Sequence, residues 1–170
     1  HRCSVSYEEE YLHDFPGHTG PVYKVRLSPF DPNVFLTCSA DWTVRLWRGG
    51  SGGDAGTGSA TAPKATFSYS THAINDVRWS PLNSCVFASV TADGHLDLWD
   101  MEKDVLAPSV SVESGHGRCS SLLFAPAAPV LLVGSDQGVV DVFRVNGMEG
   151  GMLTPSEQAK NLATVIDTAH

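Results

Sequence analysis

His18, Thr37 and Asp41 put an imidazole, a hydroxyl and a carboxylate into one short stretch of chain. These are the residue types of nucleophilic catalysis, in which a base takes the proton of a hydroxyl and a carboxylate orients the base. That chemistry needs the hydroxyl exposed in a cleft, whereas Thr37 falls in an apolar run, Val34 to Cys38, that reads as an interior strand. No catalytic residue is therefore assigned, and the chain has no GxxxxGK[ST] phosphate loop. His116 and Cys119, in Gly115-His116-Gly117-Arg118-Cys119, are metal-ligand types, but two ligands on one loop do not make a four-ligand zinc site. Cys3, Cys38, Cys85 and Cys119 are scattered without a CxxC pair and read as reduced thiols rather than a disulfide framework. No metal and no cofactor are expected.

The elements that carry these residues repeat. SADWTVRLW (Ser39 to Trp47) returns 52 residues later as TADGHLDLW (Thr91 to Trp99), and in weaker form as GSDQGVVDVF (Gly134 to Phe143). Ser28-Pro29, Ser80-Pro81 and Ala125-Pro126 precede the terminal aromatic by 18, 18 and 17 residues, counted from the proline. Each copy reads as a first apolar-alternating run (Val22 to Leu27; Ile74 to Trp79; Leu122 and Phe124), a turn and a second run (Val34 to Cys38; Val86 to Val90; Val130 to Val133). A tight turn and a third run, ending on the aromatic, follow. Short period-two strands bounded by Pro, Asp, Asn and Gly predict antiparallel sheets, and the period predicts a stacked unit.

Gly17-His18, the Ser-Pro corner, Asp41 and Trp47 together resemble a WD40 repeat, whose unit is a four-stranded propeller blade of about 40–45 residues. The resemblance implies an all-β WD40 β-propeller, present here as about three and a half blades of the seven usual in such rings, with a short C-terminal α-helix. Residues 1–17 would end a preceding blade, Arg2 to Tyr7 giving its third strand and Tyr11 to Phe15 its fourth. Residues 18–70 would form one blade with a Gly/Ser-rich loop at 49–62, 71–114 a second, 115–150 a degenerate third, and 154–169 the helix. The chain thus reads as the C-terminal portion of a longer one. In the resembled family a His, a Ser or Thr, the turn Asp and the Trp form a hydrogen-bonded chain inside each blade. The first blade supplies His18, Thr37, Asp41 and Trp47. The second supplies Ser89, Asp93 and Trp99, with His72 two residues from the aligned place. The third has Val133, Gln137 and Phe143 instead, with His116 one residue out of register, so apolar packing alone is expected there. The roles are structural, because a buried carboxylate is tolerated only where donors surround it.

A narrower resemblance starts at Trp42. PVYKVRLSPFDPNVFLTCSADWTVRLW, with Asp-Trp-Thr in the tight turn, resembles dynein intermediate chains; HRCSVSY and YLHDFPGHTGPVYKV are most similar to the intermediate chain of axonemal inner-arm dynein f. This implies a non-catalytic scaffold subunit in the cytoskeleton of a cilium or flagellum. Its propeller would bind the dynein heavy-chain tail, beside a second intermediate chain and light chains. The alternatives are a WD40 adaptor in another intracellular complex and a propeller enzyme with convergent groups around the central channel. Trp42 stands where the sister turns carry Gly94 and Gly138; with Tyr23 it is a candidate partner contact.

Nineteen acidic and 11 basic residues give a formal net charge of -8, with no run of Lys or Arg, which argues against nucleic acid or an anionic membrane as partner. Gly49 to Ala62 is Gly/Ser/Ala/Thr-rich and reads as a flexible loop. Thr154-Pro155-Ser156-Glu157 has the capping-box pattern, and Ala159, Leu162, Ala163 and Ile166 follow at helical spacing. A helix this short needs something to pack on, either its own propeller or another subunit. Leu162 and Ile166 are accordingly further candidate partner contacts.

Overall fold

The computed structural model describes residues 2–3, 11–49, 61–147 and 153–168. Strands β1 (Arg2–Cys3) and β2 (Tyr11–His13) pair with each other. Next come β3 (Val22–Leu27), β4 (Val34–Ser39), β5 (Val44–Arg48) and β6 (Ala65–Phe67), hydrogen-bonded in that order as a four-stranded antiparallel sheet. Strands β7 (Ile74–Trp79), β8 (Val86–Thr91), β9 (His95–Asp100) and β10 (Val110–Glu113) repeat this arrangement, and β11 (Cys119–Phe124), β12 (Val130–Ser135) and β13 (Val140–Arg144) form a three-stranded sheet. Helix α1 spans Pro155–Thr168. Of the expected strand from Arg2 to Tyr7, only Arg2–Cys3 is described; residues 50–60 of the expected loop lie outside the described residues.

Local chemistry accounts for the repeat. In the first two sheets the Ser-Pro corner is an ST turn: Ser28 Oγ accepts from the Phe30 and Asp31 amides, and Ser80 Oγ from those of Leu82 and Asn83. The first strand of every sheet carries a bulge at the same place, between Val22 and Lys24, Ile74 and Asp76, and Cys119 and Ser121.

The sheets stack as layers, and burial records the order. Every residue of β8 is buried, because the second sheet is covered on both faces; in β13, at an open face, Val140, Val142 and Arg144 are exposed. One apolar core lies between the first and second sheets, where Phe67 meets Phe87 and Trp99 edge-on at 4.9 and 5.1 Å. The other joins Ala88, Val90 and Leu96 to Leu122, Phe124, Leu131 and Val133 of the third sheet. Fully burying one such side chain is worth about 1.5–3 kcal/mol.

Polar bridges run between the first strands. Arg26 Nη2 donates to Asp76 Oδ1 at 3.1 Å, and the Leu122 amide donates to Asp76 Oδ2 at 3.2 Å, so one buried carboxylate ties three sheets together. Arg78 Nε donates to the Leu122 carbonyl, Trp79 Nε1 to that of Arg26, and Asn75 Nδ2 to that of Cys119.

Helix α1 begins as its sequence requires. Glu157 Oε2 accepts from the Thr154 amide and hydroxyl, both at 2.8 Å, and Thr154 Oγ1 accepts from the Glu157 amide. Its apolar stripe packs on the chain's own sheets. Leu162 and Ile166 are 0% exposed and belong to the core between the first two sheets. Their expected place among partner contacts is corrected on this point: the stripe had an internal surface to cover, made of residues such as Cys85 and Met101.

Candidate functional site

In the first sheet the loop before β3 and the turn after β4 come together. His18 Nδ1 lies 2.8 Å from Asp41 Oδ2, His18 Nε2 lies 2.6 Å from Thr37 Oγ1, and Trp47 Nε1 donates to Thr37 Oγ1 at 2.8 Å. One polarity satisfies every atom: indole N–H to threonine oxygen, threonine O–H to Nε2, and Nδ1–H to carboxylate. Asp41 Oδ1 also accepts from the Thr43 amide at 3.1 Å and its hydroxyl at 2.7 Å, and Oδ2 from the Thr19 amide at 3.0 Å. Burial by itself raises the Asp41 pKa, but donation by Thr43, His18 and Thr19 outweighs it and holds the carboxyl at about 2.

The Thr37–His18–Asp41 sequence of contacts is the order of a hydrolytic triad, yet the hydroxyl is committed. Thr37 is 6% exposed and its oxygen already holds the Trp47 indole. An apolar hollow of about 480 Å³ lies alongside, lined by Phe15, Val25, Leu27, Phe35 and Trp47 with His18 and Thr37. The chain of contacts positions a turn and a tryptophan.

The second sheet keeps part of the pattern. Trp99 Nε1 donates to Ser89 Oγ at 3.1 Å. His72, out of register in sequence, places Nδ1 3.2 Å from Asp93 Oδ2, and His95 places its own Nδ1 3.1 Å from the same oxygen; Thr91 Oγ1 donates to Oδ1. Burial raises the Asp93 pKa, but Thr91 and the two imidazoles bring it below the ordinary value. Burial keeps that of Asp97 above it despite a 2.6 Å bond from Ser111 Oγ. Thr91, Asp93, His95, Asp97 and Ser111 line a polar hollow of about 280 Å³ with Tyr69, Ser70 and Thr71. Sequence reasoning missed His95, Asp97 and Ser111. The alternation of β9 could have shown that Asp97 points into the sheet stack, but nothing in the sequence pairs it with Ser111. Carboxyls shifted in opposite directions are a feature of acid–base sites. Here both are engaged internally, and among the described residues no group of three His, Cys, Asp or Glu is arranged to hold a metal ion. In the third sheet Val133 is buried, with Phe143 packed against its cluster.

Trp42 occupies the turn between β4 and β5 with a φ of 70°, and among the described residues it is the one non-glycine with positive φ. Gly94 and Gly138 hold the equivalent turns at 94° and 77°. For an L-residue this region costs roughly 1–2 kcal/mol. Trp42 is 52% exposed and Tyr23 43% exposed; Tyr23 lies on β3 with Val25 and Leu27.

Two of the three stacked antiparallel sheets carry a Trp-to-hydroxyl bond and a turn Asp met by histidine, the arrangement of WD40 repeats, and the family model described as "WD domain, G-beta repeat" matches residues 9–48 and 62–100. The fold is shared with the WD40 domain of Toxoplasma gondii coronin at a TM-score of 0.69, with 21% identity over 81% of this chain and 36% of that one. Within the class, most of this chain matches axonemal dynein intermediate chains. It is 37% identical to "Dynein axonemal intermediate chain 4" of Rattus norvegicus over 94% of its own length and 18% of the relative's. It is 34% identical to "Dynein intermediate chain 2, ciliary" of Heliocidaris crassispina over 86% of its own length and 20% of the relative's. The chain thus spans about a fifth of the length of these relatives.

Proposed function

We propose that the chain serves as a non-catalytic scaffold subunit of an axonemal inner-arm dynein, its propeller holding the heavy-chain tail beside a second intermediate chain and light chains, in the cytoskeleton of a cilium or flagellum. The observation that supports the subunit reading is similarity to axonemal dynein intermediate chains along nearly the whole chain, through all three sheets and not only at the repeat signature. The inner-arm assignment rests on the stretch YLHDFPGHTGPVYKV and its likeness to the dynein f subunit. The physical arrangement fits a scaffold: the polar groups that could do chemistry are spent on holding turns, and stacked sheets offer rigid loop faces to partners.

The test is to tag the full-length protein in a ciliated cell, isolate it from axonemes, and identify what co-purifies. Recovery of an inner-arm dynein heavy chain and light chains is expected. Absence of any dynein heavy chain from the purified complex would overturn the proposal.

A further inference from the structure

We infer that Asn146 is a site of spontaneous covalent modification: its side-chain amide closes a ring onto the Gly147 backbone nitrogen and is lost as ammonia, leaving aspartate or isoaspartate. The inference starts from the dipeptide Asn146-Gly147, which forms a turn just after β13. Both residues are exposed. Gly147 has a φ of 82°, and a Cβ built on it would meet nothing within 4 Å, so the turn is open on every side. Asparagine is a thermolabile side chain, and it reacts fastest where the next residue has no side chain to obstruct the attacking nitrogen.

That nitrogen must be free to attack. Among the described residues nothing accepts from the Gly147 amide, and the Asn146 side chain makes no hydrogen bond. The other asparagines are held. The Val34 amide, which follows Asn33, donates to the Asp31 carbonyl at 3.0 Å, and the Ser84 amide, which follows Asn83, donates to Gln158 Oε1 at 2.9 Å. Asn75 Nδ2 donates to the Cys119 carbonyl, and its Oδ1 accepts from Arg118. Asn161 lies within α1, where its Nδ2 donates to Glu102. Asp93-Gly94 offers a similar backbone with a carboxylate, but the Gly94 amide is spent on the Thr91 carbonyl at 3.2 Å. The fold protects four asparagines and leaves Asn146 able to react.

In the reaction the Gly147 nitrogen gives up its proton and bonds to Asn146 Cγ. The Cγ–N bond of the side chain breaks, and that nitrogen departs as ammonia with the proton. Water then opens the cyclic imide at either carbonyl, giving aspartate where the original peptide bond is kept and isoaspartate where the backbone runs through Cγ. Place decides the consequence. Asn146 lines two adjoining hollows with Leu98, Val110 and Val145, and the larger also contains Asp100. The new carboxyl is ionised at neutral pH and puts charge beside these apolar side chains, in a chain whose formal net charge is already -8. Isoaspartate also lengthens the backbone just beyond Val145, whose amide donates to the Pro129 carbonyl where β12 and β13 end.

The experiment keeps full-length wild-type protein, Asn146→Gln and Gly147→Ala folded in neutral buffer at physiological temperature, and digests samples at intervals for mass spectrometry, with an unincubated sample as control. The wild-type peptide holding Asn146 is expected to gain one dalton and to separate into aspartyl and isoaspartyl forms. It should do so well ahead of the peptides holding Asn33, Asn75, Asn83 and Asn161. Gly147→Ala is expected to slow the gain at least several-fold, and Asn146→Gln to remove it over the same period. An Asn146 peptide that stays unchanged through prolonged incubation would overturn the inference. So would an equal gain at any of the other four asparagines, or a Gly147→Ala protein that reacts as fast as wild type.

Discussion

Ser84 donates twice to Gln158, a residue 74 positions further along the chain: its amide to Gln158 Oε1 at 2.9 Å, and its hydroxyl to the Gln158 carbonyl at 2.7 Å. Together with Arg48 to Asp167 and Asn161 to Glu102, this fastens α1 across the first two sheets. Leu162→Ala is expected to destabilise the chain by about 2–5 kcal/mol, as for other buried leucines. Gln158→Ala, which strands the buried Ser84 amide, should cost about 1–3 kcal/mol. Denaturant unfolding measures both. An unchanged midpoint for Leu162→Ala would return the helix face to the list of surfaces available to partners.

The complete and incomplete polar chains can be compared directly. Thr37→Val keeps the side-chain shape but leaves both the Trp47 indole N–H and His18 Nε2 without their oxygen, whereas Ser89→Ala strands only the Trp99 N–H. At about 1–3 kcal/mol for each buried orphan, Thr37→Val should be the more damaging substitution. Thermal melts decide this, and equal losses would mean that the histidine link adds no stability.

Asp41 gives the fold a defined acid sensitivity. Its carboxyl is held at about 2 against an ordinary 3.8, so the ionised form favours folding above 3.8 and that contribution fades as the pH falls toward 2. Asp97 has the opposite sign: its raised pKa makes the ionised form unfavourable in the folded chain at neutral pH. Asp41→Asn should lower stability at pH 7 and flatten its decline below pH 4, while Asp97→Asn should not lower it at pH 7. Urea unfolding across the pH range checks both, and an unchanged acid limb in Asp41→Asn would refute the assignment.

The cysteines offer a chemical readout of packing. Burial is the main reason that the Cys38 and Cys85 thiols are pushed up to about 12, and it raises Cys119 as well; all three are free and buried. The thiolate is the reactive form, so native protein is expected to leave them unmodified by iodoacetamide at neutral pH, with full labelling after denaturation. Rapid native labelling of Cys38, detected by mass spectrometry, would contradict the packing of the first sheet.

Much of the architecture was legible because it is local. The Ser-Pro corners, the tight turns and the Thr154 cap are written in adjacent residues, and most strands fall within two residues of the alternating runs, although β11 begins three residues before Leu122. The site was legible where residues kept register: His18, Thr37, Asp41 and Trp47 meet as the resemblance implied. It failed where geometry substitutes for register, as when His72 reaches Asp93 from two positions away. Contacts between sheets were not legible at all. No pattern links Arg26 to Asp76, since their meeting depends on how two bulged strands are stacked. The stripe on α1 showed a face that had to be covered, and periodicity does not name the surface that covers it.

The placement of α1 gives biosynthesis a direction. The ribosome makes all three sheets before the helix that braces the first two, so a nascent chain that has not reached Pro155 leaves the groove beside Cys85, Met101 and Val105 uncovered. Apolar surface of that kind is what chaperones and proteases recognise in unfinished proteins. The groove between the first two sheets is thus closed last, once Leu162 and Ile166 have been added.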